Sequence, residues 1–406
     1  MTLQKLDQAL QAELNILKAE GRAKPPERII TAYHPPTDGF GPRYSLKGEK
    51  QLFLRMNSNS YLSLSNHPFL IARADNATHT CGVGPGAVRF IDGTYSYHIA
   101  LEERIARFVG KQGAKIFNSA YTANCGLALT IGGKNTYWVG DQLNHNSIIR
   151  GMRIAGVPSG NKAIYLHNDM EDLEKCLDGV GAGIDRVVVI FDGIFSMRGD
   201  YAPIDKIVAI TDAHRHKFAG GLVTVVDDSH GIGAYGATGR GTPEFTGAIP
   251  DIIVGTFGKA FGVNGGFIAG SHTLIEAVRQ KADTYIYTNP LSVADCAAAT
   301  QALDICDSTE GLDLLDNLRQ RTGQFRQGLE QLGFESIPGP HPVVPLLVRN
   351  TARTQALVKQ LFDAGILVVG LTFPVVPKGD ETIRFQVNAA HTEADIDMVL
   401  AVLAKS

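Results

Sequence analysis

The sequence has no basic cluster and no long apolar run. Its 38 Lys and Arg residues nearly balance its 41 Asp and Glu residues, which leaves a net charge of −3 over 406 positions. This balance argues against nucleic acid or an anionic membrane as a partner. No stretch reaches the roughly 20 apolar residues of a membrane-spanning helix, and residues 1–7 carry charge where a secretion signal would be apolar. We therefore expect a cytoplasmic protein.

Cysteine is scarce, and no two cysteines form a Cys-x-x-Cys pair. The five are Cys81, Cys125, Cys176, Cys296 and Cys306. An odd number of scattered cysteines indicates reduced, mostly buried thiols and argues against a disulfide framework. The same scatter gives no ligand set for zinc, so we expect no metal site.

The hydrophobic pattern divides the chain into three parts. Residues 1–55 begin with leucines at every third or fourth position from Leu3 to Leu17, which predicts a helical arm that serves as a packing or dimer element. Residues 56–290 alternate short apolar runs with longer amphipathic stretches, and the runs fall at 114–117, 136–139, 186–191, 222–226, 252–254 and 266–269. This alternation predicts a large α/β domain with a mainly parallel sheet that is covered on both faces. Residues 291–406 are typical of a smaller α+β domain.

Two of these predicted strands end in residues that could form one catalytic site. The run 252–254 leads to Lys259 between small residues, and the run 222–226 leads to Asp227 and His230. Open α/β sheets bind ligands at the carboxyl ends of their strands. A lysine there can form a Schiff base with pyridoxal phosphate, while an aspartate on the pyridine nitrogen keeps the ring electron-poor. Considered alone, Lys259 would more often be an ordinary surface lysine.

A glycine pattern at 231–236 offers a different cofactor. It matches Gly-x-Gly-x-x-Gly, which opens a helix in dinucleotide-binding folds. Here further glycines and Pro243 follow, which is a poor helix start. We therefore predict a glycine-rich loop rather than a dinucleotide site.

Residues 118–126 predict a helix start directly after a strand. Ser119 and its polar neighbours are good N-terminal caps. A helix N-terminus offers free N–H groups to a phosphate. The alternative is a capped helix without a ligand.

Three more residues have two interpretations each. His145 follows a strand, where it could stack on a cofactor ring and donate a proton, or be an ordinary loop residue. Ser196 also follows a strand, where a hydroxyl usually caps a backbone group. Arg384 lies inside a strand pattern, which suggests either an internal salt bridge or a clamp on a substrate carboxylate.

Together these motifs resemble the α-oxoamine synthases, fold-type I enzymes that use pyridoxal 5′-phosphate (PLP) to condense an amino acid with an acyl-coenzyme A. The resemblance covers nearly the whole chain and extends to residues 59–64, 82–89, 143–148, 192–197, 239–241 and 256–260. It implies the PLP-dependent transferase (aspartate aminotransferase-like) fold and a homodimer with shared active sites. Within the family, residues 27–31, 167–174, 374–379 and 389–392 are most similar to the 2-amino-3-ketobutyrate coenzyme A ligases, also called glycine C-acetyltransferases.

The resemblance also implies a role for each site residue. Lys259 would carry the cofactor and then act as a base. Asp227 would pair with the pyridine nitrogen, His230 and Ser196 with the ring hydroxyl, and His145 would stack on the ring. The residues implied to hold the phosphate are Ser119, Ala120, Tyr121 and Thr256, with Thr288 from a second subunit. Asn59 and Arg384 would grip the amino acid's carboxylate.

The resulting expectation is transfer of an acyl group, best acetyl, from coenzyme A to a small amino acid, best glycine. Departures at 95–97, 120–121 and 288–290 leave open a different amino acid or a longer acyl chain, as in an 8-amino-7-oxononanoate synthase or a signal-molecule synthase. An aminotransferase or lyase would share Lys259 and Asp227, but it would not predict their sequence surroundings. A non-catalytic scaffold predicts the loss of a cofactor contact, and none is lost.

Overall fold

The structure is a computed structural model that describes residues 2–373 and 376–405. Residues 374 and 375, part of one motif quoted above, lie outside the described residues. The chain forms two compact units: Asn59–Arg319, and the residues up to Ser58 together with those from Gln320 onward. The boundaries expected near residues 55 and 290 stay a prediction.

The strands and helices alternate over most of the chain. In chain order the strands are β1 (Ile30–His34), β2 (Arg43–Leu46), β3 (Leu52–Arg55), β4 (Gly113–Phe117), β5 (Thr136–Asp141), β6 (Lys162–Tyr165), β7 (Arg186–Asp192), β8 (Leu222–Asp227), β9 (Ile252–Thr256), β10 (Gly266–Gly270), β11 (Val343–Leu347), β12 (Ile366–Leu367), β13 (Val369–Leu371) and β14 (Thr382–Gln386). The helices are α1 (Thr2–Ala19), α2 (Pro68–Cys81), α3 (Ser96–Phe108), α4 (Ala120–Ile131), α5 (Asn146–Ile154), α6 (Met170–Asp178), α7 (Ile204–His214), α8 (Thr242–Thr246), α9 (His272–Lys281), α10 (Asp283–Ile286), α11 (Val293–Cys306), α12 (Thr309–Gln331), α13 (Thr351–Asp363) and α14 (Glu393–Leu403).

The unit Asn59–Arg319 is built on a seven-stranded sheet in the order β4-β10-β9-β8-β7-β5-β6. The five strands from β9 to β6 pair in parallel, and β10 is antiparallel to both of its neighbours. Every residue from Val187 to Asp192 in β7 is buried, as expected for a strand covered on both faces. The predicted fold class, a mainly parallel sheet within an aspartate aminotransferase-like fold, is confirmed.

The other unit contains two smaller sheets. One has the order β1-β2-β3-β12, and the other has the order β11-β14-β13. Helix α1 forms where the leucine spacing predicts it, and none of its described residues is buried within the chain. Arg384 lies at the centre of β14, opposite Pro345 of β11 and Val369 of β13.

The glycine-rich stretch at 231–236 does not open a helix. Gly233 N–H donates to the Gly239 carbonyl at 2.7 Å, and Ile232 bridges Arg240, so the segment is a closed loop. The next helix, α8, begins at Thr242 and has only five residues. The prediction of a loop in place of a dinucleotide site therefore agrees with the observed backbone.

Within the described parts of the chain, no helix is both long and apolar enough to cross a membrane. The same residues include no group of three His, Cys, Asp or Glu side chains that could hold a metal ion.

Candidate active site

A cavity of about 220 Å³ lies at the carboxyl end of the parallel strands. Most of the predicted site residues line it: Ser119, Ala120, Tyr121, His145, Asp227, His230, Thr256 and Lys259. They come from the ends of β4, β5, β8 and β9 or from the turns that follow them. Parallel strands bring these ends to one edge of the sheet, which is why residues far apart in sequence meet here.

Lys259 is held in a turn whose backbone is fixed by hydrogen bonds. Phe257 N–H donates to the Gly265 carbonyl at 2.9 Å, and Val263 N–H donates to the Phe257 carbonyl at 3.0 Å. A third bond, from Gly262 N–H to the Lys259 carbonyl at 3.0 Å, closes the turn around the lysine. The amine therefore leaves the end of β9 from a defined position on the cavity wall.

Asp227 is the last residue of β8 and is only 5% exposed. Its Oδ1 accepts hydrogen bonds from the N–H and hydroxyl of Ser229 at 3.2 and 2.6 Å. Its Oδ2 accepts one from Asn124 Nδ2 at 2.7 Å. Because a carboxylate only accepts hydrogen bonds, three donors aimed at its two oxygens match its acceptors and fix its orientation.

Two histidines face the same cavity, and a hydroxyl lies against Nδ1 of each. His230 Nδ1 lies 2.7 Å from the hydroxyl of the fully buried Tyr61, and His145 Nδ1 lies 2.7 Å from Ser147 Oγ. Burial of the ring lowers the pKa of His145; the nearby Asp227 opposes this effect and Lys259 adds to it. Burial therefore favours the neutral form of the His145 ring.

Asp192, at the end of β7, is a second acid on the cavity wall that sequence reasoning did not single out. It is 4% exposed, and its Oδ1 accepts a hydrogen bond from His145 N–H at 3.3 Å. Burial, and next to it the charge of Asp227, raise the pKa of Asp192 well above its usual range. The carboxyl group of Asp192 therefore favours the protonated form.

The N-terminus of α4 forms one end of the cavity. Ser119 Oγ caps the helix by accepting the Thr122 N–H at 3.2 Å. Ala120 and Tyr121 start the first turn, where no earlier turn supplies carbonyl partners for their N–H groups. The Thr256 hydroxyl donates to the Gly265 carbonyl at 2.8 Å, so it must rotate before it can donate to a ligand. These donors suit an anion.

Substitution of Gly266 by alanine is expected to impair this anion site. A Cβ at Gly266 would overlap the backbone of Ser119 and Ala120, so the start of α4 must shift. We expect PLP affinity, measured from its visible absorbance, to fall at least about tenfold, since displaced backbone donors lose charge-assisted hydrogen bonds. Gly160→Ala is the matched control, because nothing lies within 4 Å of its Cβ. Equal affinity in both variants would contradict this placement of the anion.

The remaining predicted residues lie outside the group of described residues that line the cavity. Ser196 is half-buried, two residues beyond the cavity-lining Ile194. Thr288 Oγ1 lies 3.4 Å from Asn118 Nδ2, beside the start of α4 in the same chain. Asn59 Oδ1 accepts from the Tyr61 hydroxyl at 3.4 Å, and Arg384 belongs to the other unit.

His167 is a further histidine that the sequence did not mark as a structural centre. It lies 3.0 Å from Asp141 and 3.2 Å from Asp200, and its ring packs edge-on against Phe195. Burial alone would lower its pKa, but hydrogen bonds to the two aspartates outweigh burial and raise the pKa of His167 to about 9. His167 is therefore charged, and its bonds to the two aspartates hold the loop around Ser196 against the end of β5.

This ion cluster predicts a loss of stability at alkaline pH. The pKa of His167 is raised on folding, from about 6.5 in the unfolded chain to about 9. The contribution of His167 to the free energy of unfolding is therefore complete below pH 6.5 and disappears as pH rises through about 9. Between pH 6.5 and 9.5, the melting temperature of the wild type should fall more than that of His167→Gln. His216→Gln, at an exposed site, should follow the wild type. Parallel curves for all three proteins would show that the cluster does not stabilise the fold.

Comparisons with known proteins place this chain among PLP enzymes. The family profile for class I and II aminotransferases matches residues 53–403. The chain is 36% identical over 401 residues to 8-amino-7-oxononanoate synthase of Geobacter metallireducens, covering 98% of each. Its structure matches serine palmitoyltransferase of Sphingomonas wittichii, with a TM-score of 0.87 at 27% identity over 99% of this chain and 97% of that one. It also matches the S. paucimobilis serine palmitoyltransferase solved with bound PLP and myriocin, with a TM-score of 0.86 at 27% identity over the same fractions.

Proposed function

Because this chain belongs to the class I and II aminotransferase family and, within it, to the PLP-dependent α-oxoamine synthases, we propose that it transfers an acyl group from a thioester to a small amino acid. The observation that carries the proposal is the convergence of Lys259, Asp227, His145 and His230 on one cavity. An amine, a carboxylate and two imidazoles in that arrangement suit chemistry at an amino acid's α-carbon.

The residues of the cavity fit PLP. The start of α4 offers donors for a phosphate, and Lys259 offers an amine for an aldehyde. Asp227, whose two oxygens are oriented by hydrogen bonds from Asn124 and Ser229, suits a protonated pyridine nitrogen. When bound, PLP supplies an electron-poor ring that stabilises negative charge on the α-carbon.

Each residue then has a proposed task. Lys259 would hold the cofactor through its amine and would move a proton at the α-carbon of the substrate. His145 would lie against the ring, while His230, held by Tyr61, and Ser196 would act on the ring hydroxyl. Ser119, Ala120, Tyr121 and Thr256 hold the phosphate, and Asn59 and Arg384 bind the carboxylate of the amino acid.

For the substrates, we propose alanine and an acyl thioester longer than acetyl. The name 8-amino-7-oxononanoate describes a nine-carbon chain with an amine beside a ketone, as formed when a seven-carbon acyl group joins the two carbons that alanine keeps after losing its carboxylate. The relative of that name is 36% identical over 98% of the chain. The initial expectation of glycine and acetyl-coenzyme A finds no support among these relatives.

We also propose a homodimer, to which Thr288 contributes from the partner subunit. Apolar side chains are exposed around a second cavity of about 530 Å³, among them Phe90, Ile99 and Tyr287. Apolar groups exposed together are typical of interfaces. Light scattering should therefore give twice the 43.6 kDa of one chain; a mass of one chain would contradict a shared site.

A substrate grid tests the choice of substrates. Purified, PLP-loaded protein is given glycine, alanine, serine or 2-aminobutyrate together with acetyl-, pimeloyl- or palmitoyl-coenzyme A, and free thiol and product mass are measured. Alanine with pimeloyl-coenzyme A should give the highest kcat/KM. A preference for glycine with acetyl-coenzyme A would restore the initial expectation and contradict the proposed substrates.

A further inference from the structure

A continuous chain of hydrogen bonds joins two walls of the cavity. Asn124 Nδ2 donates to Asp227 Oδ2 at 2.7 Å and to Ser147 Oγ at 2.9 Å. Ser147 Oγ in turn lies 2.7 Å from His145 Nδ1. Asn124 and Ser147 are 3% and 1% exposed, so water does not compete for these bonds. One amide and one hydroxyl thus connect His145 to Asp227.

The direction of the bonds at Asn124 follows from charge. The Ser229 N–H already donates to Asp227 Oδ1, and Asp227 has no proton to give as a carboxylate. A reversed Asn124 amide would place two oxygen acceptors 2.7 Å apart. In the observed orientation Asn124 Oδ1 is buried without a hydrogen-bond partner. An unpaired buried acceptor costs folding free energy. The two bonds donated by Asn124 Nδ2 therefore hold the amide in this orientation in spite of that cost.

The direction at His145 follows from the start of α5. Ser147 N–H donates to His145 Nδ1 at 3.2 Å, and this bond caps the helix. A backbone N–H cannot act as an acceptor, so Nδ1 has no proton and the proton of the neutral ring lies on Nε2. Since Ser147 Oγ accepts from Asn124, its own proton is free to donate to Nδ1.

We propose that Asn124 and Ser147 are positioning residues that hold His145 as a neutral ring protonated on Nε2 and hold Asp227 as an oriented carboxylate. This role rests on the proposed function, in which His145 and Asp227 face the bound cofactor. Protonation of Nδ1 would break the cap of α5, so His145 acts as a hydrogen-bond donor and not as the base. Proton removal from the substrate is then left to Lys259, an amine that lines the same cavity and whose charge acts on the His145 ring.

The state of the His145 ring can be measured directly. Full-length, PLP-loaded protein without substrates is labelled on histidine with ¹³C and ¹⁵N, and the His145 signals are assigned by their absence in His145→Gln. In the wild type at pH 7.5 we expect the chemical shifts of a neutral ring protonated on Nε2. A ring protonated on Nδ1, or charged, would overturn the proposal without any further variant.

Three variants test the hydrogen-bond bridge that Asn124 and Ser147 form between Asp227 and His145. In Ser147→Ala the ratio of Nε2- to Nδ1-protonated rings should fall about fivefold, the effect expected from the loss of one neutral hydrogen bond. Ser147→Thr, which keeps the hydroxyl, should retain the wild-type shifts. Ser229→Ala is the control, because it removes a donor to Asp227 and leaves His145 its contacts. Unchanged His145 shifts in Ser147→Ala would contradict the bridge.

The NMR experiment observes the His145 ring without acyl transfer, so it tests the roles of Asn124 and Ser147 separately from the proposed function. Thiol release by a protein whose His145 is protonated on Nδ1 would support the function and overturn the bridge. The expected shifts in a protein that releases no thiol would support the bridge and overturn the function.

Discussion

Replacement of Lys259 by alanine is expected to abolish acyl transfer. Thiol release should fall by about a thousandfold or more, because in the proposed function the same amine both binds the cofactor covalently and moves the proton. Borohydride reduction followed by mass spectrometry should give a PLP adduct on the wild type and none on the variant. Both measurements follow from the position of Lys259 on the cavity wall at the end of β9.

The matched control for this experiment is Lys134→Ala. Lys134 is an exposed lysine of the same unit and is not among the described residues that line the cavity. This variant should keep the adduct and the wild-type rate. An adduct that persists in Lys259→Ala and maps to another lysine would show that the catalytic amine has been assigned wrongly.

Asp227→Asn is expected to have the second largest effect. The three donors that surround Asp227 accommodate two acceptor oxygens, whereas an asparagine brings an NH₂ group that must face one of them. In the proposed function the change removes the acidic partner of the cofactor ring. It also leaves a buried donor unpaired, which costs about 1–3 kcal/mol of folding free energy. We expect kcat to fall at least about a hundredfold, the scale seen when a preorganised electrostatic partner is lost.

Asp228→Asn separates the loss of charge at the ring from the loss of stability. Asp228 is equally buried, but it accepts its hydrogen bonds from the N–H and hydroxyl of Thr242 and is not among the described residues that line the cavity. This control should also lower the melting temperature while it keeps kcat within about tenfold of the wild type, since its carboxyl binds Thr242, which is not among the described residues that line the cavity either. A similar loss of kcat in both variants would mean that reduced stability, and not the loss of the Asp227 carboxylate, lowers kcat.

The sequence is sufficient to predict six of the seven strands of the large sheet and two residues at the strand ends, whereas β6 (Lys162–Tyr165) was missed. Apolar runs mark β7, β8 and β9, and the carboxyl ends of parallel strands must meet, so Lys259 and Asp227 could be brought together without a structure. The start of α4 was predictable for the same reason, because Ser119 follows the end of β4 directly.

The partners of these residues were not predictable. Tyr61 and His230 are 169 positions apart, and Asn124 and Asp227 are 103 apart. Such pairs are created by the packing of different elements, and no local pattern of polar residues specifies them. His167 shows the same limit, since its two aspartates come from the end of β5 and from a loop near residue 200.

The initial choice of glycine and acetyl-coenzyme A shows why substrates are harder to predict than chemistry. The resemblance to the family includes residues 143–148 and 256–260, which contribute to the cavity. The choice of glycine and acetyl-coenzyme A rested instead on residues 27–31, 167–174, 374–379 and 389–392, and none of these is among the described residues that line the cavity. Discrimination between acyl chains depends on how distant side chains pack along an apolar pocket, at about 1–3 kcal/mol per methylene. Short motifs near the cofactor therefore predict the reaction better than its substrates.

The most direct test of the central claim is to measure free thiol and amino acid consumption together. PLP-loaded wild-type protein is incubated with alanine and pimeloyl-coenzyme A, and both quantities are followed in the same sample. An acyltransferase should release one thiol for each amino acid consumed and should release none without the amino acid. Consumption of amino acid without thiol release would contradict acyl transfer and indicate an aminotransferase or lyase.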